Sequence, residues 1–301
     1  MKYKLAHVAE YAAARAVCGL VAALPHRAAL ALAWGPVRLV WALNGNLRAR
    51  TRRRLRQALG ADPTDRQLDR IGWLAFRNLA FTAVEGMRLP GIDKAWVGRH
   101  MELGEVDLVH AELERRRGLI VAVPHMGNWE LAGIALQAQG VNLMTLVRRQ
   151  KNPLMNAWLN RVRMGTGAEA IDTKSREVAL VPQKLNAGNK VLAILPDVRA
   201  KAGGVPVRYL GADTEVPAGV AHYAHEAGVP VYTAEVVRKG WTKHGWRKTG
   251  RIEPDRSLPP AEDRQRIMQY VMDRFAESVR AHPENYFWFN KRWVLGAEDK
   301  P

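Results

Sequence analysis

Cysteine and serine are scarce in this sequence, and their scarcity removes whole classes of chemistry before any motif is read. Among 301 residues Cys18 is the only cysteine. No disulfide can close within the chain and no cysteine cluster can hold a metal. A lone cysteine in an apolar run reads as a small core residue, and its isolation fits a reducing compartment. The three serines are Ser175, Ser257 and Ser278. None stands in the Gly-x-Ser-x-Gly turn of a serine hydrolase. Long uncharged apolar runs are also missing. Residues 11–43 are rich in Ala, Leu, Val and Trp, but Arg15, Pro25-His26-Arg27 and Arg38 interrupt them. A simple spanning helix of about 18 uncharged residues is therefore not expected. No small-residue cleavage site of a secretory signal stands out. Nor is there an internal repeat, a low-complexity tract or a linker, so a single domain over 1–301 is expected, with N-terminal helices in 1–60 and an α/β core over 100–295.

What the sequence has in excess is positive charge. Lys and Arg number 46 against 29 Asp and Glu, a net charge of +17 with a pI near 10.4. Such a field attracts polyanions: nucleic acid, anionic lipid headgroups or acidic proteins. The densest stretch is Arg48-Ala49-Arg50-Thr51-Arg52-Arg53-Arg54-Leu55-Arg56. It follows two apolar segments, 4–24 and 27–44, which read as helices separated by Pro25. Apolar helices followed by arginines suit an anionic membrane surface, where each cation near the surface contributes about 1 kcal/mol. An RNA-binding arm is the competing reading, but no aromatic side chain interleaves with these arginines to stack on bases.

Residues 62–90 read as a helix that Thr64 can cap and that Pro90-Gly91 ends. From about residue 100 the pattern alternates. Short apolar runs at 101–103, 118–123, 141–147, 170–171, 190–195, 205–209, 229–237 and 250–252 read as strands. Helical patterns fill 106–116, 128–139, 153–164, 178–187, 217–227 and 260–281. Strand–helix alternation of this kind predicts an α/β fold with a central, mostly parallel sheet flanked by helices, and a helical N-terminus apposed to a membrane.

In an open parallel sheet, sites form beyond the carboxyl ends of the strands. The run 118–123 ends at Pro124, and His125 follows. A helix starting near Asn128 aims its amino end, with unpaired N–H groups and partial positive charge, at the same place. Glu130 lies in its first turn and has the reach to hold one imidazole nitrogen of His125. A histidine can take the proton of an alcohol as it attacks an acyl carbonyl, while a carboxylate fixes the imidazole tautomer. His-x4-Glu alone is a weak pattern; its setting after a buried strand gives it weight. Other patterns carry less. Gly165-Thr166-Gly167-Ala168-Glu169-Ala170 imitates a dinucleotide fingerprint but follows a helix rather than a strand. His222 and His225 are three apart on a helix, with no third metal ligand at a suitable spacing.

Val123-Pro124-His125-Met126-Gly127-Asn128-Trp129-Glu130-Leu131-Ala132-Gly133 resembles the His-x4-Asp/Glu block of the bacterial lipid A biosynthesis acyltransferases, the late lauroyl and myristoyl transferases. It is equally similar to the related phosphatidylinositol mannoside acyltransferases. Further blocks follow in order: Arg148-Arg149-Gln150-Lys151-Asn152-Pro153-Leu154, then Arg161-Val162-Arg163, then Leu195-Pro196-Asp197 with Gly203-Gly204-Val205-Pro206-Val207. After these come Thr214-Glu215-Val216-Pro217-Ala218-Gly219 and Pro283-Glu284-Asn285-Tyr286-Phe287-Trp288-Phe289-Asn290-Lys291-Arg292-Trp293. The matches span about 115–295.

The resemblance implies a glycerolipid-acyltransferase-like sheet, attachment to the cytoplasmic face of the bacterial inner membrane, and acyl transfer to a lipid-linked sugar hydroxyl from an acyl carrier protein or coenzyme A thioester. It implies His125 as general base, Glu130 as its orienting partner and Asp197 as a carboxylate near the pair. It places Arg149 against a phosphate of acceptor or donor, and Arg163 against the acidic partner or the substrate. The same blocks supply Asn128, Asn152 and Arg292 as substrate-binding residues. No metal, bound cofactor or nucleic acid is implied. Two positions depart from the pattern: Asn290 stands where many lipid A enzymes have His, and Val198 where Gln is usual.

Overall fold

Residues 5–88 fold as four helices, α1 (Leu5–Ala23), α2 (His26–Leu43), α3 (Gly45–Leu59) and α4 (Asp65–Arg88). The computed structural model describes residues 3–296 except 116, 166 and the side chains of 163 and 164. Pro25 separates α1 from α2, as its ring predicts. Thr64 starts α4 through a reciprocal cap. Its hydroxyl accepts the Gln67 N–H at 3.3 Å, and its own N–H donates to Gln67 Oε1 at 2.7 Å.

α1 corrects one expectation. It is long and apolar enough to cross a membrane, and none of it is buried. A requirement for a strictly uncharged run was too severe, because the two charges in α1 turn toward the protein. Glu10 accepts a hydrogen bond from Asn152, and the Arg15 guanidinium lies 5.5 Å from the Trp158 ring centroid. The large exposed apolar side chains Leu5, Leu20, Leu32, Trp34, Leu39 and Leu43 all belong to α1 and α2.

The arginine run is not a basic surface alone. It is the helix α3, and several of its cations face inward or serve neighbouring backbone. Arg52 pairs with Asp69 at 2.7 Å and Arg56 with Asp65 at 2.7 Å. Arg48 donates to the Trp41 carbonyl at 2.6 Å. Arg54 is 4% exposed, donates to the carbonyls of Trp288 at 2.5 Å and Asn290 at 2.9 Å, and lies over the Trp293 ring. This segment is structural cement as much as a basic surface.

The alternating part follows as α5 (Lys94–His100), β1 (Met101–Leu103), α6 (Val106–Glu114), β2 (Leu119–Ala122), α7 (Trp129–Ala138), β3 (Leu143–Val147), α8 (Pro153–Gly165) and β4 (Glu169–Asp172). It continues as α9 (Val181–Asn186), β5 (Val191–Ile194), β6 (Val205–Tyr209), β7 (Ala212–Val216), α10 (Gly219–Ala227), β8 (Val231–Lys239), β9 (Lys243–Ile252) and α11 (Pro260–Ala281). The main sheet runs β1-β9-β8-β2-β5-β3-β4. From β8 to β4 all neighbours are parallel; β9 turns back against β8 and β1 follows β9. The α/β reading with a mostly parallel sheet holds.

β6 does not join that sheet. It forms a separate antiparallel hairpin with β7, whose polar alternation Ala-Asp-Thr-Glu-Val hides it as a strand. β9 is longer than the three residues read from sequence, because its buried His244 and Trp246 stand among Lys243, Gly245 and Arg247 and form no apolar run.

β2 shows how the sheet divides two cores. Ile120 and Ala122 point into the cluster containing Val220 and Phe275 of α10 and α11, whereas Leu119 and Val121 point into the cluster beneath α7. Alternate side chains of one strand thus serve opposite faces, which requires an unbroken apolar run in a strand covered on both sides.

Arg54 joins the helical N-terminal part to the segment after α11 through buried charge-assisted hydrogen bonds. Arg54→Ala is expected to destabilise the fold by about 2–4 kcal/mol, at about 1.5–3 kcal/mol for a hydrogen bond made by a charged group. A shift of the chemical-denaturation midpoint at unchanged slope measures it.

Candidate active site

β2 and β5 are adjacent and parallel, with Ala122 opposite Ile194. The Val123 N–H donates to the Ile194 carbonyl at 3.1 Å, so the register continues past the strand ends. His125 lies three residues beyond Ala122, and Asp197 three residues beyond Ile194. Equal offsets on neighbouring parallel strands bring the two side chains together. His125 Nδ1 lies 2.7 Å from Asp197 Oδ1, and the His125 backbone N–H donates to Asp197 Oδ2 at 2.8 Å. Both carboxylate oxygens therefore bond to His125, and the Tyr286 hydroxyl is a further hydrogen-bond partner of the carboxylate. Because the carboxylate accepts, Nδ1 carries the proton and Nε2 is the free base. Trp129 meets the imidazole edge-on, with centroids 5.2 Å apart, and Phe287 lies 6.3 Å away.

This geometry corrects the expected partner. The side chain that holds the His125 imidazole is Asp197, which is almost fully buried, and not Glu130, which is exposed at the first turn of α7. Glu130 still lines the cavity in front of His125 and acts on it through charge alone. Burial pushes the His125 pKa down, but the charge and hydrogen bond of Asp197, with a smaller contribution from the Glu130 charge, outweigh it and hold it above the ordinary histidine value.

The turn between β2 and α7 is fixed from three sides. Gly127 has φ of 59°, and a Cβ there would lie 2.2 Å from the Val236 carbonyl oxygen of β8, so only glycine fits without moving the strand. The Gly127 N–H donates to the Asn285 carbonyl at 2.8 Å, and the Phe287 N–H donates to the His125 carbonyl at 2.9 Å. Met126 and Tyr286 form an antiparallel bridge between those bonds. Residues 285–287 thus clamp the His125 turn as a fragment of strand. Asn285 is itself held, since its Oδ1 accepts the Arg238 N–H at 2.7 Å.

Asn128, expected to bind substrate, is only 1% exposed. Its Oδ1 accepts the Leu131 N–H at 3.0 Å and caps α7, and its Nδ2 donates to Glu85 Oε2 at 2.7 Å. Glu85 is a buried junction that no local pattern marks. Arg238 donates to it twice, at 2.9 and 2.6 Å, and the Nε2 atoms of His244 and His26 lie at 3.2 and 3.3 Å. Burial would push the Glu85 carboxyl up, but the bonds from His244, His26 and Arg238 hold it well below the usual carboxylate range. Burial pushes the His244 pKa down, against the pull of Glu85, so His244 is neutral at pH 7 and donates one N–H.

Asn152 is likewise an anchor. It caps α8 by accepting the Leu154 N–H at 3.0 Å, and donates to the His7 carbonyl and Glu10 Oε2 of α1 at 2.9 and 2.8 Å. Arg149 stands exposed past the end of β3, with its Nε 3.5 Å from Asp172. Arg292 is exposed and donates to the Arg199 carbonyl. Neither approaches His125 by any contact among the described residues. The side chain of Arg163 lies outside the described residues.

In front of His125 lies a cavity of about 470 Å³. Much of its wall is apolar, from Val121 of β2, Val123, Leu143 of β3, Ile194 of β5, and Ala132 and Leu136 of α7, with Gln137, Thr145 and Gln150 among its polar lining. Trp129, Glu130 and Arg148 line it as well. The first-turn amides of Trp129 and Glu130 have no partner within α7. A histidine–carboxylate pair, free helix-end amides and a hydrocarbon-lined recess together suit acyl transfer onto a hydroxyl.

The family model for the bacterial lipid A biosynthesis acyltransferases matches residues 2–294. The chain belongs to that family. It is an acyltransferase. The phosphatidylinositol mannoside acyltransferase of Mycolicibacterium smegmatis is 26% identical over 252 residues, covering 83% of this chain and 80% of that protein. The protein of the same name from Mycobacterium tuberculosis is 26% identical over 220 residues, covering 71% and 67%. Two of the blocks that resembled the family have a physical reading in this fold. The closing block carries the clamp on the His125 turn, and the Asp-containing third block carries the imidazole's partner.

Glu85→Gln leaves the Arg238 guanidinium buried without a counter-charge, and is expected to destabilise the protein by about 3–5 kcal/mol, measured by denaturant unfolding. A histidine serving as general base works unprotonated, so that role for His125 predicts a kcat/KM that rises with pH through its elevated pKa. Asp197→Asn removes the largest upward influence, so the acid limb of that profile should move to lower pH. Glu130→Gln should move it the same way by less.

Proposed function

We propose that this acyltransferase moves a fatty acyl chain from an acyl carrier protein or coenzyme A thioester to a hydroxyl of a lipid A-type glycolipid, with His125 as general base. The observation that carries the reading is the His125–Asp197 pair opening onto an apolar cavity. The acyl chain lies in that cavity with its thioester carbonyl near His125. As the acceptor oxygen attacks, its proton passes to His125 Nε2, and Asp197 stabilises the imidazolium that forms. The first-turn amides of α7 face the oxyanion of the tetrahedral intermediate. Its collapse breaks the carbon–sulfur bond, and the departing thiolate takes the proton back from the imidazolium. The acyl chain goes directly from donor to acceptor, and the thioester supplies the activation without a bound cofactor or metal.

The exposed apolar side chains of α1 and α2, together with the net charge of +17, support attachment to the cytoplasmic face of the bacterial inner membrane, where both the anionic surface and acidic donors are met. A phosphatidylinositol mannoside acceptor is the second reading, favoured by the names of the two relatives.

Purified protein should transfer label from an acyl thioester to glycolipid in a total lipid extract, and His125→Ala should lower the rate at least about a hundredfold. The labelled product separates the lipid A-type acceptor from the mannoside. Equal labelling by wild type and variant, or none by either, would return the chain to a basic membrane- or nucleic-acid-binding module.

A further inference from the structure

A second cavity, of about 490 Å³, lies between α1, α8 and the 3-10 turn Leu89–Gly91 that follows α4. Leu89 and Val162 line both this groove and the cavity at His125, so the two share a wall. The groove has two kinds of surface. One part of the lining is Cys18, Gly19 and Ala22 of α1 with Met87 and Ile92, apolar and with room for hydrocarbon. The rest includes two cations, Arg15 of α1 and Arg161 of α8, with Trp158 stacked on Arg15. No carboxylate lines the groove among the described residues. Arg15 is positioned by stacking, 5.5 Å from the Trp158 ring centroid, and by donating to Tyr11 Oη at 3.1 Å. Neither arginine has an ion-pair partner among the described residues. α1 also carries the exposed apolar side chains Leu5, Val8, Val17 and Leu20.

Two guanidinium groups without an ion-pair partner among the described residues, one on the exposed apolar helix α1 and one on α8 at the edge of an apolar groove, match one class of ligand: a lipid bearing a phosphate. The planar donors take the phosphate oxygens, and the apolar side takes the first part of the acyl chains. We propose that the α1–α8 groove binds the phosphate and adjacent chains of the anionic acceptor lipid, so that the acceptor comes from the bilayer past α1 while the donor's acyl chain occupies the cavity at His125. The proposal rests on the acyl-transfer reading for its role, but the binding site itself is testable without catalysis.

Cys18 lies in the groove and is the only thiol, so its alkylation by a maleimide reports occupancy directly. Full-length protein is titrated with dihexanoyl phosphatidic acid, with a phosphate-free dihexanoyl glycosylglycerol, and with coenzyme A. The phosphatidic acid should slow alkylation at least about tenfold at saturation. The Arg15→Glu/Arg161→Glu double variant should need at least about ten times more of it, and Arg15→Lys/Arg161→Lys should stay near wild type. In acyl-transfer assays the charge-reversed variant should show a raised KM for an anionic acceptor at unchanged kcat. Equal protection by the phosphate-free lipid, protection by coenzyme A in place of lipid, or indifference of Cys18 to phosphatidic acid would each overturn the proposal. A wild type that protects Cys18 but transfers nothing would instead overturn the catalytic reading and leave the site standing.

Discussion

Glu85 has no contact with solvent, and side chains from four other parts of the chain converge on it. An ionised carboxylate in such a place is tolerated only when charge and hydrogen bonds replace the water it has lost. Arg238 of β8 supplies the charge. His244 of β9, His26 at the start of α2 and Asn128 at the cap of α7 supply the remaining contacts. The N-terminal helices, the antiparallel edge of the sheet and the helix beside His125 are thereby referred to a single point in α4. The imidazole of His125 has its own carboxylate, but the turn that carries it starts α7, and α7 is capped by a residue tethered to Glu85. Misplacing this buried charge would cost both fold stability and site geometry.

The two carboxylates divide the work of the site's architecture. Asp197 accepts from the backbone and the ring of the same residue, which fixes the position and the tautomer of His125 together. It stands where it does because β2 and β5 are parallel neighbours with equal overhang. The apolar cavity in front of the pair follows from the same arrangement. The strands that end at the site also present small or branched apolar side chains beneath α7, so chemistry and hydrocarbon are met within one crevice.

Much of this could be read from residue patterns. The break at Pro25, the cap at Thr64, the strand before His125 and the α/β alternation all rest on local signals, and the structure has them. What could not be read depends on pairing across the fold. Sequence places Glu130 five residues from His125 and Asp197 seventy-two away, so proximity along the chain favoured the wrong partner for the ring. Asn128 and Asn152 stand in functional-looking blocks, yet both are helix caps whose second hydrogen bond anchors another element. Glu85 sits in an ordinary amphipathic helix and becomes special only when β8 and β9 reach it. The strand β9 was hidden because its exposed side chains are basic, so alternation was present without an apolar run. The arginines of α3 looked like a surface because nothing local shows that Arg54 reaches the carbonyls of Trp288 and Asn290.

The clamp on the His125 turn has a consequence in time as well as in space. Asn285 and Phe287, which bond to Gly127 and His125, are made some 160 residues after the turn they hold. At about 5–20 residues per second of synthesis, His125 precedes its clamp by roughly ten to thirty seconds. During that interval the β2–α7 joint lacks two of its backbone hydrogen bonds, and Arg54 lacks its acceptors. A nascent chain of this enzyme therefore carries the residues of the site well before it carries the geometry that holds them, and the finished site arrives late, with the docking of residues 283–290 rather than with the formation of the sheet.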